Sequence, residues 1–237
     1  MTTGLTYAEY KTQIATMAVV EEDDAAFVTI LPSMITYAEN RLYRDLDFLF
    51  TSTSITGYTV TGNTRSITLP EGSIVVSEQV NIITPAGQTN PELGTRNPCT
   101  PVTKEYLDAV YGSASSAGLP AYFAPFNDNL FLVGPFADQT YYVEIVGTYR
   151  PESLSATNTE TFISLYLPDL LIMASMVYIS AYQRNFGRMS DDPAMAVSYE
   201  AQYQTLLRGA SVEEARKKFE GSGWTSQSPS PTATSTR

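Results

Sequence analysis

The stretch that most constrains the fold is residues 168–184, the longest strongly apolar run in the chain. Leucine, alanine, valine and tyrosine recur there at helical spacing on one side, and isoleucine and methionine fill much of the remaining surface. A helix that is apolar on most sides has to be packed on most sides. The run is too short to cross a membrane, since that takes about 20 apolar residues. We therefore expect residues 168–184 to form the central core helix.

The composition supports a folded core and argues against an enzyme. Of the 237 residues, 43% are hydrophobic, which is enough to build one large domain or two small ones. Histidine is absent and Cys99 is the single cysteine, so the commonest general base, the commonest metal ligand and a thiolate zinc cluster are all excluded. We expect no internal disulfide, no cofactor and no metal. The polar first residues lack the pattern of a secretory signal peptide, which favours an intracellular product.

The net charge of −11 argues against a dedicated nucleic-acid-binding protein, because such proteins need a cationic face. The charge is also uneven. There are 7 basic and 19 acidic residues up to Gln183, but 7 and 6 from Arg184 onward. The acidic body and the slightly basic C-terminal part are able to attract one another between subunits, or to engage a partner of different charge.

Helices are predicted at both ends of the chain. Thr6 and Glu9 have the spacing of a capping box, followed by an apolar stripe, which predicts a helix at about residues 6–20. The acidic residues 21–24 indicate a solvated turn or a helix cap rather than a calcium loop. A second helix lies within residues 27–50, with Pro32 at its start or at a kink. Its polar face, which includes Glu39 and Arg41, is predicted to be solvated or to face another subunit.

The middle of the chain is predicted to be β-structure. From Thr51 onward, segments rich in Ser, Thr and Gly alternate with short β-branched and aromatic runs, which indicates an antiparallel sheet, a sandwich or a small barrel. Turn residues predict hairpins at 60–64 and 126–130, and residues 81–97 are predicted to form an exposed loop. The predicted strands are residues 54–60, 66–69, 74–84, 101–104, 122–126, 129–133 and 140–150, with a short helix at 104–111.

The C-terminal part is predicted to be helical and to end in a flexible tail. A helical turn is expected at residues 162–167, and a further helix starts near Pro193, with Gly209 ending or bending it and residues 211–220 extending it. Residues 221–237 are rich in Ser, Thr and Pro and predict disorder in isolation. Three basic residues at 216–218, followed by Phe219 and Trp224, suggest an arm that orders on a partner. A plain disordered end is an equally good interpretation of this pattern.

These elements predict an α+β fold. The N- and C-terminal segments, residues 1–50 and 151–220, are expected to form a four-helix bundle. An antiparallel β domain at residues 51–150 is inserted between them, and residues 221–237 form a flexible C-terminal arm.

Motifs of the common catalytic and nucleotide-binding sites are missing from the sequence. There is no glycine-rich phosphate loop and no Gly-x-Ser-x-Gly elbow, and a histidine-based serine triad is impossible. Carboxylates are numerous enough for a glycosidase pair, and Asp128 and Glu144 are the least unfavourable candidates. Nothing in the sequence places them together.

Residues 31–46, LPSMITYAENRLYRDL, resemble a helix of the head-to-tail adaptor proteins of tailed phages, the tail-tubular or gatekeeper-like connectors of short-tailed viruses. Further segments resemble the same family in the same order along most of residues 5–210. They are YAEY at residues 7–10, LPAYF at 119–123, NLFLVGP at 129–135, YRPESLS at 149–155 and PDLL at 168–171.

The resemblance implies a structural virion protein, made in the host cytoplasm, without enzymatic activity or membrane contact. Such adaptors form a ring, commonly of twelve subunits, below the portal protein at the capsid vertex. The ring extends the DNA channel and provides the platform for the tail or nozzle protein. DNA passes through without specific binding, which an acidic channel favours by repulsion.

The same resemblance suggests where the contacts lie, because the helical part and the C-terminal arm of such adaptors engage the portal while the β lobe faces the tail. Candidate contacts to the portal or to another subunit are Arg41, Arg44, Arg216, Lys217, Lys218, Phe219 and Trp224. Candidate contacts of the tail-facing β loops are Asn90, Arg96, Asn127 and Asp128.

Two other functions fit the sequence less well. The first is another head-completion or minor tail protein of a phage. The second is a protein that binds or hydrolyses carbohydrate through the aromatic β lobe.

Overall fold

The computed structural model describes residues 4–185 and 195–221. Contacts between Cα atoms divide the chain into two units, one made of Met1–Leu49 with Glu152–Arg237 and the other of Phe50–Pro151. The first is helical and the second is built around two sheets, so the fold is α+β. We call them the helical unit and the β unit.

The described residues contain six α-helices, of which α3 belongs to the β unit. They are α1 (Tyr7–Ala18), α2 (Ala25–Asp45), α3 (Lys104–Val110), α4 (Phe162–Tyr166), α5 (Pro168–Asn185) and α6 (Met195–Gly221). Helix α5 contacts α1, α2, α4 and α6, and none of its residues from 170 to 180 is exposed. The predicted core helix is therefore confirmed.

The first two helices begin where their capping residues predict. The hydroxyl of Thr6 accepts from the Glu9 backbone N–H, and the Thr6 N–H donates to the Glu9 carboxylate at 2.9 Å, which lowers the pKa of Glu9. Asp24 accepts from the N–H groups of Ala26 and Phe27, each at 3.0 Å, so α2 begins at Ala25. Pro32 consequently lies inside α2 rather than at its start.

A buried hydroxyl pair fixes α1 on the core helix. The Tyr10 and Ser175 hydroxyls lie 2.6 Å apart, and both side chains are fully buried. Because the Ser175 hydroxyl itself donates to the Leu171 carbonyl at 2.7 Å, Tyr10 is the donor of the pair. Burial raises the pKa of Tyr10, so the proton stays on the phenol.

Helix α6 runs unbroken from Met195 to Gly221, so Gly209 does not end it and residues 211–220 extend it as predicted. The predicted start near Pro193 lies outside the described residues. Packing against α5 explains the continuity, since one glycine costs about 1 kcal/mol in a helix interior and tertiary contacts outweigh that.

Eight strands of the β unit form two four-stranded sheets, in the orders β1-β8-β3-β4 and β2-β7-β6-β5. Every pairing is antiparallel except β5 with β6. The strands are β1 (Ser52–Val60), β2 (Ser66–Thr68), β3 (Val76–Thr84), β4 (Thr95–Pro98), β5 (Thr100–Pro101), β6 (Tyr122–Asn127), β7 (Leu130–Gly134) and β8 (Tyr141–Thr148).

Alternating residues of the strands divide between a shared core and the outer faces of the sheets. Val143 and Ile145 of β8 join Phe131 and Val133 of β7 in one buried cluster, whereas Glu144 lies on the other side of β8. On the outer face of the second sheet, Leu132 packs with Leu107 of α3. The apolar residues of these clusters are therefore buried, either in the core that the two sheets share or under α3.

Three details of the predicted β region are wrong. The predicted exposed loop at residues 81–97 is shorter, because β3 reaches Thr84 and pairs with β4. Asn97, which made this segment look like a loop, is held at the Ile82 carbonyl at 3.0 Å. Residues 60–64 are not the turn of a β-hairpin, because the strands before and after them, β1 and β2, lie in different sheets. The strand predicted at 101–104 ends at Pro101, since Thr103 caps α3.

Candidate functional site

Arg41 joins α2 to α6 and is occupied within the helical unit. Its Nη2 donates to Glu200 Oε1 at 2.6 Å, and its guanidinium lies 4.0 Å from the centre of the Tyr203 ring. The Tyr203 hydroxyl donates in turn to Asp45 Oδ2 at 2.7 Å. Arg41 holds the pKa of the Glu200 carboxyl below its usual range, and burial raises the pKa of Tyr203. Arg41, which was predicted to contact the portal or another subunit, therefore bonds to α6 of its own chain.

The basic cluster at the end of α6 is also largely paired. Lys217 lies 2.8 Å from Glu213 and 2.7 Å from Glu214, and Glu214 Oε2 accepts from the Leu49 N–H at 3.2 Å. Lys218 forms an ion pair with Asp47. These contacts attach the C-terminal part of α6 to the segment that follows α2.

Two of the predicted contact arginines are exposed. Arg44 on α2 and Arg216 on α6 point to solvent, and no carboxylate within residues 4–185 and 195–221 pairs with either of them. Phe219 is 54% exposed. Trp224, the last of the predicted contacts, lies outside the described residues. Exposed cations beside an exposed aromatic ring are suited to binding another chain.

Arg96 belongs to a polar network on the outer face of the first sheet. Its Nε donates to Glu144 Oε2 at 2.7 Å and its Nη2 to Glu92 Oε1 at 2.5 Å. Asn81 and Ser54 donate to the same Glu144 carboxylate, at 2.9 and 3.0 Å. These bonds, led by that from Arg96, lower the pKa of Glu144. Arg96 therefore lies in β4 rather than in a free loop, and the network around Glu144 includes residues of all four strands of the first sheet.

The remaining loop candidates are exposed and locally ordered. Asn90 Oδ1 accepts from the Glu92 N–H at 2.9 Å. At the β6–β7 turn, Asn127 Oδ1 accepts from the Asn129 N–H at 3.1 Å, and Asp128 is exposed next to it. The hairpin predicted at residues 126–130 is confirmed. A shallow pocket of about 230 Å³ adjoins this turn.

Asp128 and Glu144 do not form a catalytic pair. Asp128 lies in a turn of the second sheet, whereas Glu144 lies in the first sheet with both oxygens occupied by four hydrogen bonds. A general acid has to hold its proton near neutral pH, and these bonds favour the ionised form of Glu144 instead. The pair thus offers no support for glycoside hydrolysis.

Glu39 occupies a buried position that its sequence pattern did not predict. It was predicted on the polar face of α2, but it is only 2% exposed. It accepts from the Leu154 N–H through Oε1 at 3.0 Å, and its Oε2 has no partner in the described part of the chain. Burial raises its pKa. The signal available in the sequence is its spacing, since Glu39 is four residues from the buried Ile35.

Neither metal nor thiol chemistry finds support in the described residues. No cluster of three or more carboxylates or thiols suited to a metal ion occurs in residues 4–185 and 195–221. Cys99 is buried, and burial raises its pKa to about 12, so it carries no thiolate at neutral pH. Across the same residues, no helix combines the length and the apolar character that a membrane span requires.

Comparison with known proteins agrees with an assembly role. No curated protein sequence matches the chain. The family model described as SU10 adaptor protein matches residues 5–227, and this range includes every segment on which the resemblance to head-to-tail adaptors rests. Because the match covers nearly the whole chain, the protein belongs to the SU10 adaptor protein family of phage adaptors.

Proposed function

We propose that the protein is a structural component of the virion that connects the portal protein to the tail or nozzle. The observation that carries this proposal is the family match over residues 5–227, which spans both units. In this function the chain forms a ring, of twelve copies by the resemblance, at the capsid vertex. The ring extends the channel through which DNA passes.

The helical unit is proposed to be the platform of the ring. In this proposal α1, α2, α5 and α6 act as a four-helix bundle around α5, which contacts the other three. Arg41, Lys217 and Lys218 stabilise the platform through internal pairs rather than by touching the portal. Arg44 and Trp224 are the proposed contacts with the portal, and Arg216 and Phe219 are contacts with the portal or a neighbouring subunit.

The β unit is proposed to face the tail protein. Its exposed turns present Asn90, Asn127 and Asp128, and the pocket of about 230 Å³ lies beside the last two. Arg96 links β4 to Glu144 of β8 across the intervening β3 and fixes the base of the loop that carries Asn90. Loops positioned on a rigid sheet are suited to recognising a partner.

The net charge of −11 supports a channel that lets DNA pass without holding it. Phosphates are repelled by an acidic wall, and Arg41, Arg96 and Lys217 are already paired with carboxylates of their own chain. We therefore propose transit of DNA without specific binding.

The proposal is tested by mixing the purified protein with the portal protein of the same phage and examining the particles by negative-stain microscopy. We expect rings seated on the portal. A truncation after Glu220 should remain folded and bind the portal more weakly, because it removes the arm with Trp224. The variant Arg44→Glu should also bind more weakly.

The matched control carries Asn127→Ala and Asp128→Ala in the β6–β7 turn. It should keep portal binding and lose affinity for the tail protein. A chain that neither assembles nor binds the portal would contradict the proposed function. Equal portal affinity of the truncated and complete chains would show that the C-terminal arm has no part in it.

A further inference from the structure

Helix α6 has two faces of different character. Tyr203, Ala210 and Glu214 recur at intervals of seven and four residues and are buried. The opposite side of the helix is exposed from Val197 to Phe219, which spans about 33 Å at 1.5 Å per residue. We call the exposed residues there the α6 outer face. They are Val197, Ala201, Arg208, Val212, Arg216 and Phe219.

The α6 outer face combines apolar and cationic groups. Val197, Val212 and Phe219 are 69%, 51% and 54% exposed, which is unusual for side chains of this type along one line of a helix. Arg208 and Arg216 lie between them, and within the described residues neither is paired with a carboxylate. An apolar line with two positive charges fits a surface that is apolar and negative.

A surface of that kind is present on the same chain, between α1 and α2. Val19 is 88% exposed, and its backbone has φ of 55°, a left-handed conformation that strains a β-branched residue. Glycine or asparagine is the usual residue at this position after a helix. Glu21, Glu22 and Asp23 follow and are exposed, and no cation in the described part of the chain pairs with them. We call Val19 and these three carboxylates the acidic turn.

The acidic turn and the far half of the α6 outer face lie at opposite ends of the helical unit. Helix α2 starts at Ala25, directly after the turn, and is joined to α6 by Arg41 with Glu200 and by Asp45 with Tyr203. From Ala25 to Arg41 the helix rises by roughly 24 Å. Beyond Tyr203, α6 continues in the direction of the C-terminal end of α2, where Lys218 meets Asp47. Arg208 and Arg216 are therefore out of reach of the acidic turn of their own chain.

We propose that the α6 outer face of one copy docks on the acidic turn of a second copy. Arg208 and Arg216 pair with Glu21, Glu22 and Asp23, and Val19 packs against Val212 and Phe219. Two different surfaces meet in this contact, so it is of the head-to-tail kind that closes into a ring or continues as a filament. The closure into a ring rests on the proposed function. The choice of the two surfaces rests on their charges and on the exposure of their side chains.

The proposed contact explains why an exposed valine with a strained backbone is present at position 19. A left-handed β-branched residue destabilises the isolated subunit, and an exposed valine contributes nothing to its core. Burial against the neighbouring copy recovers free energy from the same side chain. The variant Val19→Gly should therefore raise the melting temperature of the monomer while it weakens assembly, two effects that a purely structural role would not combine.

The experiment is a charge exchange on the complete chain, measured by sedimentation velocity and mass photometry. Arg208→Glu with Arg216→Glu should raise the concentration needed for half-assembly by about 100-fold or more, because like charges then face each other. Glu21→Lys with Glu22→Lys should do the same. The chain carrying all four substitutions should assemble again, because the charges are complementary once more. All four side chains are exposed, so circular dichroism should show unchanged folding.

The matched control is Lys11→Glu with Lys104→Glu, which changes the net charge by the same amount at positions in α1 and α3 that belong to neither surface. It should assemble like the unaltered chain. Two results would overturn the proposed contact without affecting the proposed adaptor function. One is that both double variants assemble like the unaltered chain, and the other is that the fourfold variant stays monomeric. An unaltered chain that stays monomeric and does not bind the portal would overturn both.

Discussion

At the scale of single residues, most charged side chains in the described structure stabilise the protein's own fold. Arg41, Arg96 and Lys218 each pair with a carboxylate of another segment. Arg41 and Lys218 link α6 to α2 and to the residues after it, and Arg96 links two strands of one sheet. Exposed ion pairs contribute little free energy, and their effect here is mainly to fix geometry. The charges that remain exposed, such as Arg44 and Arg216, are consequently the better candidates for contacts with other chains.

Glu39 should make the protein less stable as the pH rises. Burial raises its pKa above the ordinary value of 4.5, so the folded state holds the proton more tightly than the unfolded state. The stability from this group is complete below pH 4.5 and is lost as the pH rises through the folded pKa. Glu39→Gln removes the charge and should stabilise the protein by about 1 kcal/mol at pH 8. Chemical denaturation at several pH values measures the effect.

The control for this prediction is Glu39→Ala. It removes the acceptor of the Leu154 N–H and leaves a buried donor without a partner, which should cost about 2 kcal/mol below pH 4.5. The cost should shrink as the pH rises, because the variant also lacks the group whose ionisation destabilises the unaltered chain. A Glu39→Gln variant whose stability depends on pH in the same way as the unaltered chain would show that Glu39 is not the titrating group.

At the scale of helices and strands, apolar periodicity predicted most of the fold. Helices α1, α2 and α5 and strands β6, β7 and β8 lie close to where the sequence placed them, because each has a continuous apolar stripe or run. Strand β4 was missed because its polar residues are satisfied by neighbouring strands, as Asn97 is by Ile82. Local sequence does not contain that information.

The candidate contacts were harder to predict than the fold. Glu39 and Arg41 are both polar residues of one helix, yet one is buried and the other is paired with Glu200, 159 positions away. Likewise, the basic residues 216–218 looked alike in sequence, and only the fold separates the exposed Arg216 from the paired Lys217. Such distinctions depend on contacts between distant segments, which a single sequence does not reveal.

Two glycine substitutions should have opposite effects on the elements that contain them. Gly209 lies within α6, and a Cβ there would meet nothing within 4 Å, so Gly209→Ala should stabilise the protein by about 0.5–1 kcal/mol. Gly147 lies in β8, where a Cβ would collide with the Val76 carbonyl oxygen. Gly147→Ala should cost about 2 kcal/mol or more. Thermal denaturation of both variants tests this, and equal effects would contradict it.

At the scale of the whole molecule, the order of the elements along the chain separates the helical unit from the β unit. The helical unit is made from both ends of the chain, and the β unit is one continuous segment, Phe50–Pro151. An inserted segment with its own core is able to change its loops without altering the packing around α5. This arrangement suits the proposed function, in which the helical unit contacts the portal and the β unit contacts the tail protein.

The β unit should fold without the rest of the chain. Residues 50–151 contain all eight strands, a shared buried core and α3 with its own cluster, and about 100 residues suffice for an independent domain. We expect this fragment to show a β-type circular dichroism spectrum and one cooperative unfolding transition. The control fragment, residues 62–151, lacks β1 and exposes the edge of β8, so it should aggregate or unfold. A fragment 50–151 without a cooperative transition would mean that the β unit depends on the helices for its stability.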